Sequence, residues 1–571
     1  MVTSSDTPVE AKTDRDKYLY ALQAMKNERA SWDPHWAELS RYMLPRAGRF
    51  FASDINKGGR RHNNIYDNTA TRAVRVLGAG LMGGASSPTR PWMRLAVGDP
   101  EMMKFESVKV WLNDVTRQML NIFQRSNTYR TIHQMYEELG VFGTACSIMT
   151  DDFDNVIHQH GQTIGEYSLA LDDKRNVNTM ARELQMTVRQ VISRFGMENV
   201  SQTVKNLYAQ GNLNAWVAVV HIIEPRTDRD PRIKNAENLP YASIYFEPGA
   251  GGLDERDFLR VSGFDQFRVL APRWSVMSND IYGSPCPGME ALGDTKQLQH
   301  EQVRKGEGID YQTKPPLQVP SKLKGRALDR LPGGVSYYDQ TNPQGGVRSM
   351  FEVNLDLNHL LADIQDVRER IRSAFYTDLF LMLSQAPTTN MTATEVVERH
   401  EEKLLMLGPV LERLHNELLD PLIEMTFTRM LTARGPNGES MLPPPPEELE
   451  GQELKVEFVS TLAQAQRAID VNAIDRWTGS LGVIAQAKPN VLDKFDEDKW
   501  AEIYADRLGI DPELVVADEQ VALIRQSRAE QQQAAEQAAL LSQGADTAQK
   551  LSSTDTGGKN ALTDVLQGGA Q

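Results

Sequence analysis

Gly78, Gly80 and Gly83 are the residues whose spacing most resembles chemistry. In Val74-Arg-Val-Leu-Gly-Ala-Gly-Leu-Met-Gly83 they match GxGxxG, which in a dinucleotide site lets a tight turn and a helix N-terminus receive a pyrophosphate. That chemistry needs a strand before the motif and a helix opening at it. Asn68-Thr-Ala-Thr-Arg-Ala-Val74 instead has helix-forming character, and Pro88 and Pro91 leave no room for a crossover helix. Glycines that let helices pack closely are the preferred reading. The phosphate loop GxxxxGK[ST] and the GxSxG elbow do not occur. His158-Gln-His160 has no acidic or thiol partner at ligand spacing and is expected in an exposed turn. His400-Glu-Glu402 lacks the second histidine of a zincin helix. Asp151-Asp-Phe-Asp154 lacks the glycine and closing glutamate of a calcium loop and reads as a strand-to-strand turn. The expectation is no catalytic residue, no metal, no cofactor and no enzyme.

Stepping outward from these residues, the dominant element is the stretch Asn354–Arg434. Its first arm carries Leu357, Leu360, Leu361, Ile364, Val367, Ile371, Phe375, Leu379 and Met382 at three- and four-residue spacing, an amphipathic helix. The second arm, from about Thr394 to Arg434, sets Val397, Leu404, Leu407, Leu411, Leu414, Leu418 and Met425 near a heptad seam. Straight, it would run about 60 Å at 1.5 Å per residue. Gly408-Pro409 and Pro421 are expected to bend it. Between the arms, Ser384-Gln385-Ala386-Pro387-Thr388-Thr389-Asn390 carries no formal charge. Thr392-Ala-Thr-Glu395 then reads as a capping box. Two readings of the uncharged segment stand: an ordinary connection, or a rim whose small polar groups let a DNA duplex slide without braking phosphate contacts.

The 571 residues suffice for several domains, and 40% apolar with 24% charged residues is ordinary for a soluble protein. A formal net charge of −15 excludes a general phosphate-gripping surface. Cys146 and Cys286, the only cysteines, lack CxxC spacing, which argues against a disulfide framework and for a reducing compartment. Neither a secretory h-region nor a run of 18 apolar residues occurs, so no membrane association is expected.

In order, helices are expected over Asp14–Leu44, Asp67–Met82, 105–125 and 128–142, with a basic loop at Lys57-Gly-Gly-Arg-Arg61 between the first two. A small antiparallel sheet is expected over Ala145–Asp173, a helix over Met186–Gln210, and strands over Ala215–Ile223, Tyr241–Glu247, Asp257–Gly263 and Phe267–Ala271. Pro287–Gly306 reads as a helix and Pro443–Pro446 as a stiff linker. Leu454–Val459 reads as a strand, with helices following to about Gln526. Residues 529–549, with seven Ala and six Gln, favour a helix with little to bury. The last twenty residues are expected to be disordered. The fold class is mainly α with β insertions (α+β).

Dispersed stretches, in order, resemble the head-to-tail connecting (portal) proteins of short-tailed double-stranded DNA phages. They are Asp67-Asn-Thr-Ala-Thr-Arg72, Gly80-Leu-Met-Gly-Gly-Ala-Ser-Ser-Pro-Thr-Arg-Pro-Trp92, Ser126-Asn-Thr-Tyr129 and Leu139-Gly-Val-Phe-Gly-Thr-Ala145. They continue through Arg273-Trp274, Tyr282-Gly-Ser-Pro285, Ala374-Phe-Tyr-Thr-Asp-Leu-Phe380, Met391–Glu395, Leu407-Gly-Pro-Val-Leu-Glu-Arg413 and Ser460-Thr-Leu-Ala-Gln-Ala-Gln466. The resemblance spans about residues 15–525; the tail beyond departs from it.

The resemblance implies a ring of twelve identical subunits at one capsid vertex, in the virion and assembled in the host cytoplasm. DNA would be packaged, retained and ejected through it. Implied partners are double-stranded DNA, the terminase large subunit, tail adaptor and tail tube proteins, major capsid and scaffolding proteins, and internal core or ejection proteins. The implied architecture is wing, stem, clip and helical crown. Mapped here it gives 1–185 and 313–461 as wing, 186–214 and 276–312 as stem, 215–275 as clip, 462–541 as crown and 542–571 as tail. Ser384, Gln385, Pro387, Thr388, Thr389 and Asn390 become the channel loop, and Lys296, Arg304 and Lys305 candidate channel-lining cations. The alternatives are a dinucleotide enzyme built on Gly78–Gly83 and another ring-forming virion adaptor.

Overall fold

The protein is described from a computed structural model covering residues 14–50, 61, 63–99, 102, 105–230, 232–233, 235–249, 258–313, 317–318, 348–349, 358–384, 407–434, 440–449, 454–458, 474–486, 488–508, 516 and 518–553. The chain divides into two compact units, Met1–Leu95 with Asp114–Pro444 and Val456–Ile469, and Ala96–Asn113 with Pro445–Lys455 and Asp470–Gln571.

The larger unit begins with α1 (Asp14–Arg29), α2 (Asp33–Met43) and α3 (Thr69–Ala85). Strand β1 (Met93–Val97) and α4 (Glu106–Arg125) lead to α5 (Thr128–Phe142), the most deeply buried helix described. Its Ile132, Met135, Tyr136, Leu139, Val141 and Phe142 are all buried. It ends at Gly143, whose φ of 77° only glycine adopts without strain and whose missing side chain admits the Gly283 carbonyl. On the facing helix α3, a Cβ at Gly78 would meet Glu137 of α5 at 2.8 Å. The GxGxxG glycines therefore lie inside a helix; Gly78 and Gly80 admit close neighbours, whereas Gly83 faces open space.

Two antiparallel sheets follow. Strands β2 (Cys146–Asp152), β3 (Val156–Gln162), β4 (Tyr167–Leu171) and β5 (Val177–Thr187) precede α6 (Val188–Phe195) and α7 (Gln202–Ala209). Then come β6 (Trp216–Pro225), β7 (Tyr241–Phe246), β8 (Arg260–Phe264) and β9 (Val269–Leu270). The strand orders are β3-β2-β9 and β4-β5-β6-β7-β8. Period-two alternation gives the larger sheet two apolar faces. Ala181, Val220, Ile222, Ala242, Ile244 and Phe246 pack on Leu22 and Met25 of α1. Val219 and Tyr245 face Val188, Val191, Phe195 and Val204 of α6 and α7.

The reading of Met186–Gln210 as one helix is corrected. Met186 and Thr187 end β5, Thr187 and Gln190 form a capping box on α6, and Gly196 (φ 84°) stops it. Ser201 restarts the chain as α7, with Glu247 accepting from Ser201 N at 3.0 Å and Oγ at 2.6 Å. Both caps were visible as Thr187-Val-Arg-Gln190 and Ser201, outweighed by the apolar periodicity around them. His158 and His160 are likewise not in an exposed turn: both are half-buried on β3, rings 4.7 Å apart. No group of His, Cys, Asp and Glu among the described residues could hold a metal ion. Of the expected turn Asp151–Asp154, Asp151 and Asp152 end β2 and Phe153 and Asp154 enter the β2–β3 turn; Cys146 and Cys286 are free and buried.

After α8 (Pro287–Glu290) and α9 (Leu292–Thr313), the short strands β10 (Leu317–Gln318) and β11 (Arg348–Ser349) pair antiparallel. The first arm of the long stretch is two helices, not one: α10 (Asn358–Ala374) and α11 (Thr377–Ser384), broken where Tyr376 adopts φ 53°. The second arm is described from 407, as α12 (407–414), a π-helical turn His415–Leu419, and α13 (Asp420–Thr432). The wide turn immediately precedes Pro421. Proline has no N–H and its ring crowds the carbonyl four residues back, so widening that turn accommodates it. Among the described residues no helix is long and apolar enough to cross a membrane.

Strand β12 (Leu454–Phe458) is divided between the units at Lys455, and the smaller unit then holds α14 (474–486), α15 (Glu497–Leu508) and α16 (Asp518–Ser553). Trp477, Phe495, Trp500 and Tyr504 form a run of ring contacts at 5.0–5.9 Å. Arg525 of α16 grips Asp498 of α15 through two bonds of 2.7 Å. The Ala- and Gln-rich residues 529–549 fall within α16, as expected from their helix propensity; the last eighteen residues lie outside the described set.

Two buried carboxyls, Glu138 and Asp67, respond to pH in opposite directions. Burial pushes Glu138 up to about 7, against the hydrogen bonds it accepts from Gln134 and the Ile164 amide. A carboxyl raised above its ordinary 4.5 leaves stability untouched below that pH and destabilises the fold progressively up to about pH 7. The midpoint difference between Glu138→Gln and the parent is therefore expected to move in the variant's favour by about 3 kcal/mol between pH 4.5 and 8. A flat difference in unfolding scans would contradict it. Asp67 shifts the other way. Burial raises it, but bonds from Thr69 and Arg368 outweigh that and hold it below the usual carboxylate range. Its contribution is full above about pH 4 and lost as pH falls through its depressed value. Asp67→Ala should cost about 2–3 kcal/mol at pH 7 and much less near pH 2, read from denaturant midpoints.

Candidate functional site

The Asp67 carboxylate begins the frame that holds the candidate channel elements. Its side chain is only 6% exposed. Oδ1 accepts from Thr69 N at 2.9 Å and Thr69 Oγ1 at 2.6 Å, fixing the start of α3. Oδ2 accepts from Arg368 Nη2 at 2.7 Å and Nε at 3.1 Å, and from Gln302 Nε2 at 3.1 Å. Gln299 closes the cluster by accepting from the Tyr66 and Asp67 amides and donating to the Asp67 carbonyl. One carboxylate thus ties α3, α9 and α10 together. Asp67 stood in the sequence just ahead of Thr69, a helix-start signal; its partners more than 200 residues away left none.

Helices α9 and α10 run antiparallel. Arg370 reaches Asp294 at 3.5 Å, while about two turns back along α10 Asp363 faces Glu301, whose carboxyl is pushed up by burial and by that neighbour. Leu292, Thr295 and Leu298 of α9 are buried, as are Ile364, Val367 and Ile371 of α10. Beyond Gln302 the α9 side chains are mostly exposed, Ile309 and Tyr311 included.

All three candidate cations lie on α9, but not on one face. Lys296 pairs with Glu38 of α2 at 2.7 Å, and that partner raises its pKa. Arg304 is exposed and Lys305 half-buried. At about 100° per residue, Lys305 projects on the side opposite Lys296, with Arg304 between them.

The described helices on either side of residues 385–406 are themselves well anchored. On the near side, Phe375, Leu379 and Phe380 are buried, and the Phe380 ring occupies the space a Cβ at Gly80 would need. Ser384 closes α11; Gln385, Pro387, Thr388, Thr389 and Asn390, and the Thr392–Glu395 capping box, lie outside the described residues. On the far side, Leu407, Leu411, Leu414 and Leu418 are buried along the expected seam. The π turn aims Glu417 at Arg273, a side chain 4% exposed. Glu417 Oε2 accepts from the Arg273 amide at 2.8 Å, Oε1 from its Nη2 at 2.7 Å and from Arg413 Nη1 at 2.9 Å. That fork is the geometry in which arginine and carboxylate bind strongest. The arrangement is mechanical: charged clamps and packed helices fix α11 and α12, and Gly78 and Gly80 are part of that packing.

A family model described as bacteriophage head to tail connecting protein matches residues 15–516. A probable portal protein of Bordetella phage BPP-1 is 59% identical over 556 residues, covering 97% of this chain and 98% of that protein. The portal protein of Salmonella phage epsilon15 is 44% identical over 555 residues, with the same coverage. A chain in the virion of a native gene transfer agent particle aligns at 10% identity and a TM-score of 0.32, over 77% of this chain and 99% of that one. With its family model spanning most of the chain and two phage relatives matching end to end, this protein belongs to the bacteriophage head-to-tail connecting proteins.

Proposed function

We propose that the chain is a portal: copies of it form a ring at one capsid vertex, with a DNA channel through which the genome is packaged, retained and ejected. Near-full-length identity of 59% to a probable phage portal protein carries this reading. Following the family resemblance, the ring has twelve subunits and serves in turn as docking point for the terminase large subunit and for tail adaptor and tail tube proteins. Capsid, scaffolding and internal core or ejection proteins would surround it in the virion.

The antiparallel α9–α10 pair favours these two helices as the stem, with the 314–357 segment between them as the clip. This revises the assignment of 215–275 to the clip. Strands β6, β7 and β8 continue the sheet begun by β4 and β5, and α6 and α7 cover that sheet, which supports a single wing layer. The helices after residue 470 fit the crown. The clamps on α11 and α12 suit a loop at 384–390 that meets moving DNA, since a loop under load needs fixed stems. A net charge of −15 favours a bore that repels phosphate and lets the duplex slide.

Inserting two lysines between Pro387 and Thr388 should slow packaging several-fold in a defined in vitro assay, with the defect larger at low salt, where phosphate attraction is less screened. Packaging at the parental rate in both salt conditions would remove this loop from the DNA path.

A further inference from the structure

Two features of the larger unit are unused by the channel reading, and they complement each other. The first is the β2–β3 turn. Phe153 at its tip is 99% exposed, flanked by Asp152 and Asp154. The tip is built rather than loose: Asp152 Oδ1 accepts from Asp154 N at 3.1 Å, and Asn155 Nδ2 donates to Oδ2 at 3.2 Å. Asp151 is taken up by Arg268 and Arg429, which leaves Asp154 as the exposed carboxylate at the tip.

The second is a cavity of about 590 Å³ beside β5 and α6, lined by His160, Arg182, Leu184, Met186, Arg189 and Arg194 among others, with no acidic residue in its wall. Arg182 is 4% exposed, yet its bonds run to neutral groups: Nε donates to His221 Nδ1 at 3.1 Å, and Tyr245 is its other side-chain partner. Arg194 donates to Tyr245 Oη at 3.1 Å. Among the described residues none of the three guanidiniums meets a carboxylate. Buried arginine is normally paired, because removing the charge from water is costly. Of the three only Arg182 is buried; Arg189 and Arg194 are exposed, and Arg194 also lies over the Phe195 and Tyr245 rings. Three guanidiniums with no carboxylate among them, beside Leu184 and Met186, give this cavity of an acidic chain a positive, partly apolar wall that suits an anionic group carrying an aromatic ring.

The tip of a neighbouring copy has that composition. We propose that the Asp152–Asp154 tip of one copy docks in the Arg182–Arg189–Arg194 cavity of the next, with Phe153 against Leu184, Met186 and the guanidinium faces and Asp154 meeting the guanidinium N–H groups. Arginine–aromatic and arginine–carboxylate contacts of this kind dominate interface energetics. Intramolecular docking is ruled out by the strand itself: the tip and His160–Gln162 are at opposite ends of β3, about 20 Å apart at 3.3 Å per residue. A tip-to-cavity contact uses different patches on the two partners, so it propagates head to tail and closes into a ring when the rotation allows. This rests on the reading that copies form a ring, and supplies one contact that would drive it.

The test uses the full-length protein and sedimentation or native mass spectrometry across a concentration series. Asp154→Arg and Arg189→Glu should each raise the concentration needed for assembly by about tenfold or more. The combined charge swap should restore assembly to within a few-fold of the parent. Independently, the double variant Asp154→Cys with Arg189→Cys should give a covalent ladder on oxidation, while each single variant should not; Cys146 and Cys286 are buried and do not compete. A parent that forms rings, with single-swap variants that assemble normally and no ladder, overturns the docking alone. A parent that stays monomeric overturns the ring reading and the docking with it. Unchanged assembly in Arg189→Glu accompanied by lost binding to a short DNA duplex would assign the cavity to phosphodiesters, and would also overturn the proposal.

Discussion

A buried carboxylate has to be neutralised by its surroundings, and at Asp67 that requirement organises the helical half of the larger unit. Thr69, Arg368 and Gln302 converge on it from three different helices, so α3, α9 and α10 cannot shift independently without exposing an unpaired charge to a dry site. The consequence travels along α3. Gly80, about three turns along α3 from Thr69, faces the Phe380 ring and seats α11, whose last residue borders the uncharged segment. The Arg273–Glu417 fork anchors the π turn that follows α12 in the same way. The loop proposed to meet DNA is thus carried by charge pairs that lie well away from it in sequence.

The five-stranded sheet shows a different solution to buried polarity. Arg182, His221 and Tyr245 are in register across β5, β6 and β7, and the His221 ring stacks on Tyr245 at 3.8 Å. Arginine can only donate, so His221 Nδ1 must accept from it and Nε2 carries the proton to Ser243 Oγ at 3.0 Å. Burial and the Arg182 charge together hold this histidine neutral, far below its usual range. The Arg182 side chain, bonded to His221 and Tyr245, also lines the cavity beside α6.

Local pattern made much of this fold legible. The flanks of Gly78–Gly83 were enough to reject a pyrophosphate turn, because helix character on the N-terminal side is incompatible with a strand there. Strand positions in β6 and β7 followed from alternation, and α16 from composition. What failed were places where one local signal competed with another. Apolar periodicity ran unbroken through Gly196 and masked two caps; Phe375-Tyr376 carries no breaker residue, yet Tyr376 takes a left-handed backbone that tertiary packing imposes. The histidines on β3 were misplaced because a polar His-Gln-His run resembles a turn unless its partner strands are known. Asp67, Arg368, Arg273 and Glu417 could not be paired from sequence at all, since their partners are set by long-range folding. The family was legible only through motifs dispersed over about four hundred residues, each weak by itself.

A ring-shaped DNA channel is the central claim, and class averages of the purified full-length protein in the electron microscope test it most directly. The account predicts twelvefold rings with a central opening wide enough for a DNA duplex. A population of monomers or dimers with no central opening, at concentrations where the protein is folded, would contradict it.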